Sequence, residues 1–272
     1  MALFNHNLYG LSMLNPKIYT KRYFLSNQCE GFFEDKKREL SPTKLFELHT
    51  LEIEHGDKIL DIGCGRGDVI RYLSLNKYNF WGIDYSESAV NLTKSRINKS
   101  ERRKIIKADA RNIPINDNFF DKILIGDVIE HMSYSEAGNV VNESYRLLKP
   151  GGRLVIHTAP NRWFSRYTYK FVFAALLLFG YTKVAHDLKR NISVIRKYHE
   201  DEYSILDLKS LMKKSDFRST RVFIFQDVLR RSSINYLSPA KRNYIIRLAS
   251  EIINKSFLLF LFGNDLFAVG IK

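Results

Sequence analysis

A short glycine-rich stretch between an apolar run and a helical pattern most constrains the fold of this chain. The run formed by Ile59, Leu60 and Ile62 is apolar on both faces, which is typical of a buried parallel strand. Alternate glycines follow and allow the backbone to turn sharply and approach a ligand closely. Residues 69–73 then have helical spacing. The stretch therefore predicts a strand, a loop and a helix N-terminus that suits polar or anionic groups of a nucleotide.

The spacing of the glycines narrows the kind of nucleotide site. A dinucleotide site carries Gly-x-Gly-x-x-Gly, whereas this loop carries glycine at positions 63, 65 and 67. Three acids and a turn accompany the loop in order along the chain, namely Asp61, Asp84, Asp109 and the Leu-Lys-Pro-Gly-Gly motif at 148–152. With these motifs over residues 58–152, the chain resembles the class I S-adenosylmethionine (SAM)-dependent methyltransferases.

The resemblance implies an α/β fold: a Rossmann-like seven-stranded sheet with helices on both faces and an antiparallel last strand. Apolar runs predict strands at 59–62, 79–84, 104–108, 120–125, 153–157, 220–225 and 266–271. We expect one domain over residues 1–272. Its predicted parts are an N-terminal lid (1–40), a SAM-binding core (41–160), an inserted lid segment (161–200) and the C-terminal part of the sheet (201–272).

Asp84 is predicted to bind the ribose of the cofactor. A carboxylate at the carboxyl end of a strand can accept hydrogen bonds from two adjacent ribose hydroxyls. The alternative is that Asp84 caps the helix predicted at 86–97. By resemblance, Asp109 accepts a hydrogen bond from the adenine amino group, the Ala110 amide meets a ring nitrogen, and Tyr23 covers the methionine end. The full predicted cofactor set is Tyr23, Asp61, Gly63, Cys64, Gly65, Gly67, Asp84, Tyr85, Asp109, Ala110 and Asp127.

Methyl transfer from a sulfonium needs an acceptor held in line and, for many acceptors, a group that removes its proton. The predicted catalytic residues are Glu130 and His131 after the fourth strand and His157 at the end of the fifth. Asp127, Glu130 and His131 would share one face of a helical turn and could then hold a divalent metal. That motif resembles the ubiquinone-pathway O-methyltransferases, where the first position is Glu. The metal stays an open alternative, and no metal ligands are assigned.

The net charge of the chain and its motifs indicate which methyl acceptors to expect. The chain has a net charge of +14, and residues 161–250 alone hold 18 Lys/Arg against 7 Asp/Glu. We expect a small or lipid-like acceptor, methylated at an oxygen. The alternatives are an RNA methyltransferase that uses the basic 161–250 surface, and a SAM-binding protein without transferase activity. RNA is the less favoured partner, because the Asn/Asp-Pro-Pro-aromatic motif of amino-methylating nucleic-acid enzymes is missing after the fourth strand.

An apolar run of nine residues, 171–179, lies among basic residues in the inserted segment. It is shorter than the roughly 18–20 residues that span a bilayer. Residues 167–181 are therefore expected either to form a lid packed on the domain or to lie in an anionic membrane interface. Two cysteines, Cys29 and Cys64, and the lack of a signal-peptide pattern predict a cytoplasmic protein, with peripheral membrane contact as the variant.

Overall fold

The computed structural model describes residues 19–26, 40–225, 244, 248, 251–253, 255–256 and 258–272. Seven strands form one sheet in the order β3-β2-β1-β4-β5-β7-β6. Their bounds are β1 Lys58–Ile62, β2 Asn79–Asp84, β3 Ile105–Lys107, β4 Phe120–Gly126, β5 Leu148–Thr158, β6 Ser219–Phe225 and β7 Asp265–Ile271. Strands β1 to β5 are parallel, and β7 runs antiparallel to both β5 and β6. This confirms the predicted α/β fold.

The helices surround the sheet and supply the expected caps. Ser41 caps the helix that follows it, with Pro42 at the first helical position. The helical bounds are α1 Lys21–Phe24, α2 Pro42–Leu51, α3 Asp68–Leu75, α4 Glu87–Ser95, α5 Tyr134–Leu147, α6 Tyr169–Leu178, α7 Thr182–Tyr198, α8 Ile205–Lys213 and α9 Leu259–Phe262. Three short turns are also helical: 3₁₀ turns at Lys99–Lys104 and Ile129–His131, and a π turn at Phe164–Thr168.

Two of the predictions fall partly outside the described residues. The predicted N-terminal lid covers 1–40, of which the structure describes 19–26 and 40. The sequence also predicts an apolar helix around 245–262, and the structure describes helix there at 251–253 and in α9. β5 begins earlier than predicted, because Leu148 already pairs with Phe120 ahead of a shift in register.

The apolar core has two halves, one on each face of the sheet. One half joins the sheet to α5 and α8, and its buried residues include Ile125, Val141 and Leu208. The other half joins the sheet to α2, α3 and α4 through residues such as Leu51 and Ile70. Because both faces are covered, the parallel strands have to be apolar on both sides.

A helical hairpin follows β5 and has its own small core. Leu176 of α6 packs with Val184, Ala185, Leu188 and Ile192 of α7, and this cluster is separate from the two halves of the main core. Among the described residues, no helix combines the length and the apolar character needed to cross a membrane. The sheet and the base of this hairpin position the residues discussed next.

Candidate active site

The glycine loop folds as the sequence predicts and packs tightly on its surroundings. Gly63 and Gly67 have φ of +74° and +83°, a backbone conformation that strains other residues. A side chain at Gly63 would overlap Val128, and one at Gly67 would lie 2.7 Å from Thr93 Oγ1. Gly67 then begins α3 as its N-cap. Glycine is therefore required at both positions by conformation as well as by space.

Asp84 lies at the carboxyl end of β2, where the sequence places it. Its Oδ2 accepts a hydrogen bond from Gly65 N at 2.9 Å, and its Oδ1 accepts one from Ser86 N at 2.8 Å. Burial raises the pKa of Asp84 to about 6, although these two amides lower it. Ser86, and not Asp84, caps α4 through its hydroxyl. The capping alternative for Asp84 is thus wrong, and the carboxylate is held against the glycine loop.

Asp61 and Cys64 flank the start of the loop in different ways. Burial raises the pKa of Asp61 to about 8, and Lys44 partly offsets this effect. Cys64 is buried and its Sγ lies 3.7 Å from Thr93 Oγ1. The amides of Gly63 and Cys64 both donate to Ile83 O at 2.9 Å. The Cys64 side chain therefore packs against α4, and these two amides hold the turn together.

The predicted adenine site after β3 is partly occupied by an arginine. Arg111 forms a bidentate pair with Asp109, with Nε 2.9 Å from Oδ1 and Nη2 2.6 Å from Oδ2. Hydrogen bonding from Arg111 lowers the pKa of Asp109. Ala110 is half-buried beside Asp109, and Tyr85 is 36% exposed. The adenine-binding roles of Asp109 and Ala110 and the cofactor contact of Tyr85 remain predictions.

The described part of the N-terminal segment lies across the glycine loop. Arg66 Nη1 donates to Phe24 O at 3.2 Å, and Ser86 Oγ donates to Tyr19 O at 2.8 Å. The Tyr23 ring packs edge-on against Tyr19, with centroids 5.3 Å apart. Tyr19, which the sequence did not single out, reaches the His131 ring at 5.8 Å. The structure therefore brings Tyr19 beside a predicted catalytic residue and packs Tyr23 against Tyr19, and the cofactor contact of Tyr23 stays a prediction.

Five ionisable side chains form a largely buried group that we call the inner histidine cluster: Lys44, Glu47, Asp127, His157 and Asp265. His157 Nδ1 lies 2.8 Å from Glu47 Oε1 and 3.1 Å from Asp127 Oδ1. His157 Nε2 lies 3.2 Å from Asp265 Oδ1. Lys44 Nζ donates to Glu47 Oε1 at 3.1 Å and to Asp127 Oδ2 at 2.9 Å. Both ring nitrogens of His157 thus face carboxylates.

The inner histidine cluster favours a charged imidazole. Burial alone would lower the pKa of His157, but the carboxylates of Asp127 and Glu47 outweigh burial and raise it to about 10. The His157 side chain is only 1% exposed. The structure thus places this predicted catalytic residue inside an ion-pair network, and Asp127, a predicted cofactor contact, is bound to Lys44 in the same network.

Three other residues form the outer histidine cluster: Glu130, His131 and His199. One potential ligand atom from each lies within 4.8 Å of the others. The rings of His131 and His199 pack edge-on with centroids 4.9 Å apart. Two amides, Glu200 N at 2.9 Å and Asp201 N at 3.3 Å, donate to Glu130 O. These backbone bonds hold His199, which follows α7, against the end of β4.

Two members of the outer histidine cluster, Glu130 and His199, favour the uncharged form. Burial raises the pKa of Glu130 to about 8, and the nearby Asp127 adds to the effect. Thr158 Oγ1 donates to Glu130 Oε2 at 2.8 Å. Burial, helped by His131, lowers the pKa of His199 to about 3. The buried His199 Nδ1 has no hydrogen-bond partner among the described residues. At neutral pH this pair of His199 and Glu130 carries little charge.

The helical face predicted for Asp127, Glu130 and His131 does not form. Asp127 has φ of +58° and precedes a single 3₁₀ turn at Ile129–His131. Its carboxylate therefore turns toward Lys44, and His199 takes the third position beside Glu130 and His131. His199 gave only one sequence signal, its place at the head of an acidic run at 200–202. Lys44 and Glu47 look like an ordinary surface pair on a helix.

Comparison with known proteins agrees with this geometry. Residues 60–156 match the family model of the methyltransferase domain. A ubiquinone/menaquinone biosynthesis C-methyltransferase UbiE of Neisseria gonorrhoeae is 32% identical over 117 residues, 42% of this chain and 47% of the relative. A demethylmenaquinone methyltransferase of Staphylococcus epidermidis is 33% identical over 112 residues, 40% of this chain and 45% of the relative.

A solved structure of a SAM-dependent methyltransferase from Archaeoglobus fulgidus has the same fold. It aligns with a TM-score of 0.57 at 20% identity and covers 88% of this chain and 98% of its own. The chain spans about half the length of the curated relatives it matches. The matched model over residues 60–156, these relatives and the strand order all support a methyltransferase domain of the class I SAM-dependent type within this chain.

Proposed function

We propose that the chain transfers the methyl group of SAM to a small, lipid-like acceptor, with an acceptor oxygen as the nucleophile. The observation that carries the proposal is the position of the outer histidine cluster. Val128, three residues before His131, lies directly on Gly63 of the glycine loop. An acceptor beside His131 would thus lie next to a cofactor held by that loop.

SAM, when bound, supplies an electrophilic methyl group on a sulfonium. The chain then has to hold the acceptor in line and take up its proton. In our proposal His131 accepts that proton. The pKa of His199 is lowered to about 3, so the proton stays on His131 and does not pass to His199. Asp84 holds the ribose of the cofactor, and Asp61 lies at the start of its loop.

The lipid-like class of the acceptor is supported by the names of the curated relatives, which refer to ubiquinone and menaquinone biosynthesis. The first of these relatives is named a C-methyltransferase. Carbon is therefore the second candidate for the nucleophilic atom. In a hydroquinone or naphthol the two candidates share one step, because removal of the ring hydroxyl proton activates both the oxygen and the adjacent carbon.

The test incubates the protein with methyl-labelled SAM and a panel of short-tailed hydroquinones and naphthols. We expect label in the organic phase with the parent and with His55→Ala, an exposed histidine away from the site. NMR of the product then distinguishes an O-methyl from a C-methyl group. If calorimetry shows SAM binding but no apolar acceptor is labelled, the acceptor class is wrong. Label in RNA under the same conditions would favour the RNA alternative.

A further inference from the structure

The hairpin formed by residues 164–198 exposes an apolar stripe. The stripe consists of Tyr167, Phe171, Ala174, Ala175 and Leu178, which follow the i, i+4, i+7, i+8, i+11 spacing of one helical face. Phe171 is 70% exposed and Leu178 is 82% exposed. Phe179, in the turn after α6, is 51% exposed. Large apolar residues are thus grouped on the outside of a single element, where an interaction site is expected.

The exposed stripe is not needed for packing within the hairpin. Leu176 and Phe173 lie on the opposite side of α6, against α7. The Phe173 ring contacts His186 with centroids 5.9 Å apart, and Lys189 Nζ lies 5.8 Å from its centre. The lid alternative for residues 167–181 thus describes one face of α6, which packs on α7. The other face is exposed in the described part of the chain, apart from a ring contact between Tyr167 and Trp163 at 5.8 Å.

The surroundings of the stripe are basic. Residues 162–193 contain six Lys/Arg and one acidic residue. That acid, Asp187, pairs with Arg190 at 2.8 Å. Over residues 164–193, whose side chains the structure describes, the exposed basic residues are Arg166, Lys170, Lys183, Lys189 and Arg190. An apolar face bordered by cations suits a surface that is apolar inside and anionic outside, which describes a membrane with acidic lipids.

Both ends of the hairpin are attached beside the outer histidine cluster. At the first end, Arg162 N donates to Tyr203 O at 2.8 Å, and Ser165 Oγ donates to Glu202 Oε2 at 2.6 Å. At the second end, α7 stops at Tyr198 and His199 follows directly. The element with the apolar stripe is therefore continuous with the site proposed for the acceptor.

We propose that this hairpin docks reversibly on an anionic lipid surface, with the stripe in the interface and the basic side chains on lipid phosphates. Such a contact would place the acceptor site next to the bilayer from which an apolar acceptor is taken. The inference rests on the proposed function for the class of acceptor. A second copy of the chain is a poorer occupant, because two basic hairpins repel each other.

The experiment is flotation of the full chain with vesicles of phosphatidylcholine alone or with phosphatidylglycerol added. We expect binding only to the anionic vesicles, and release at high salt. Phe171→Ser together with Leu178→Ser is expected to lower the bound-to-free ratio at least about 10-fold. Lys170→Gln is expected to lower it about 5-fold. Neither variant should change the melting temperature, because all three side chains are exposed.

The matched control replaces exposed leucines elsewhere, Leu75→Ser with Leu206→Ser, which are 65% and 58% exposed. This control should bind as the parent does. A parent that stays unbound at low salt overturns the proposal, as does a stripe variant that binds normally. A parent dimer that the stripe variant dissociates would assign the stripe to a second copy. Calorimetry of SAM binding, done without vesicles, tests the proposed function independently.

Discussion

The inner and outer histidine clusters both place a histidine beside a carboxylate near the end of β4, yet they favour different charge states of that histidine. In the inner cluster, carboxylates face both nitrogens of His157 and raise its pKa to about 10. In the outer cluster, burial dominates: the pKa of His199 falls to about 3 and that of Glu130 rises to about 8. A buried histidine is therefore neutral unless neighbouring carboxylates outweigh the effect of burial on its pKa.

This difference in charge state suggests a different role for the histidines of each cluster. A permanently paired, charged imidazole such as His157 holds α2, β4 and β7 together through Glu47, Asp127 and Asp265. His131 lies beside the uncharged His199 in the outer cluster. Sequence reasoning assigned both His131 and His157 to catalysis, whereas we propose proton transfer for His131 and positioning for His157.

The largest expected effect is on the outer cluster. His131→Ala should lower turnover by about 10²–10⁴-fold, because loss of a general base has that effect. SAM affinity should change little, since His131 is not among the residues predicted to bind the cofactor. Labelled-methyl transfer and calorimetry measure the two quantities, with His55→Ala as the control. Equal turnover in the variant and the parent would assign His131 to packing.

A substitution in the inner cluster should lower the stability of the folded protein. His157→Ala is expected to reduce the free energy of unfolding by about 3–5 kcal/mol, because it leaves buried carboxylates without their partner. Urea unfolding measures the change. SAM affinity and turnover per folded molecule should remain near those of the parent. A stable but inactive variant would reverse the roles that we assign to His157 and His131.

A third substitution tests whether SAM binding is independent of both histidine clusters. Asp84→Ala should weaken SAM binding by roughly 1–3 kcal/mol, because two ribose hydroxyls lose a buried acceptor. Calorimetry measures the loss, and Asp117→Ala, whose side chain is 64% exposed, is the control. Turnover at saturating SAM should be largely retained. An unchanged affinity would remove Asp84 from the ribose site.

The pH dependence of the free energy of unfolding tests whether His157 is charged in the folded protein. A histidine with a folded pKa of about 10 and an ordinary value near 6.5 stabilises fully below pH 6.5, and this contribution is lost as the pH rises through 10. Between pH 8 and 10, Glu130 and Asp61, each with a pKa of about 8, add little further change. His157 should therefore contribute a loss of up to about 1.4 kcal/mol per pH unit there, and His157→Gln should lose correspondingly less than the parent. If the free energy of unfolding fell equally with pH in the parent and in His157→Gln, a charged His157 would be contradicted.

The smallest expected effect comes from chelation. The spacing of Glu130, His131 and His199 also suits a divalent cation. A base, however, needs an imidazole nitrogen that no metal occupies. Exhaustive treatment with EDTA should therefore leave turnover unchanged. Loss of activity that Mg²⁺ or Zn²⁺ restores would replace the general-base role of His131 with metal binding.

Local sequence patterns predicted the strands and the glycine loop, because short stretches of sequence determine both. The strands were predictable because runs such as 59–62 are apolar on both faces, and the glycine loop was predictable because its backbone conformation needs glycine. The helical face assumed for Asp127 was wrong, because one residue in the left-handed region redirects its side chain. The N-terminal segment pointed to Tyr23 at the cofactor, which stays a prediction, whereas the contact of Tyr19 with His131 was not predicted.

The sequence by itself determined the sheet, the loop that turns at Gly63 and Gly67, and the place of Asp84 after β2. Only the tertiary structure decided which charges meet. Lys44 and Asp127 are 83 residues apart in the chain, and His157 and Asp265 are 108 apart. His199 reaches His131 only because Glu130 O accepts two amide hydrogen bonds from the segment after α7. Burial and charge pairing depend on such distant contacts, so no local pattern predicts a protonation state.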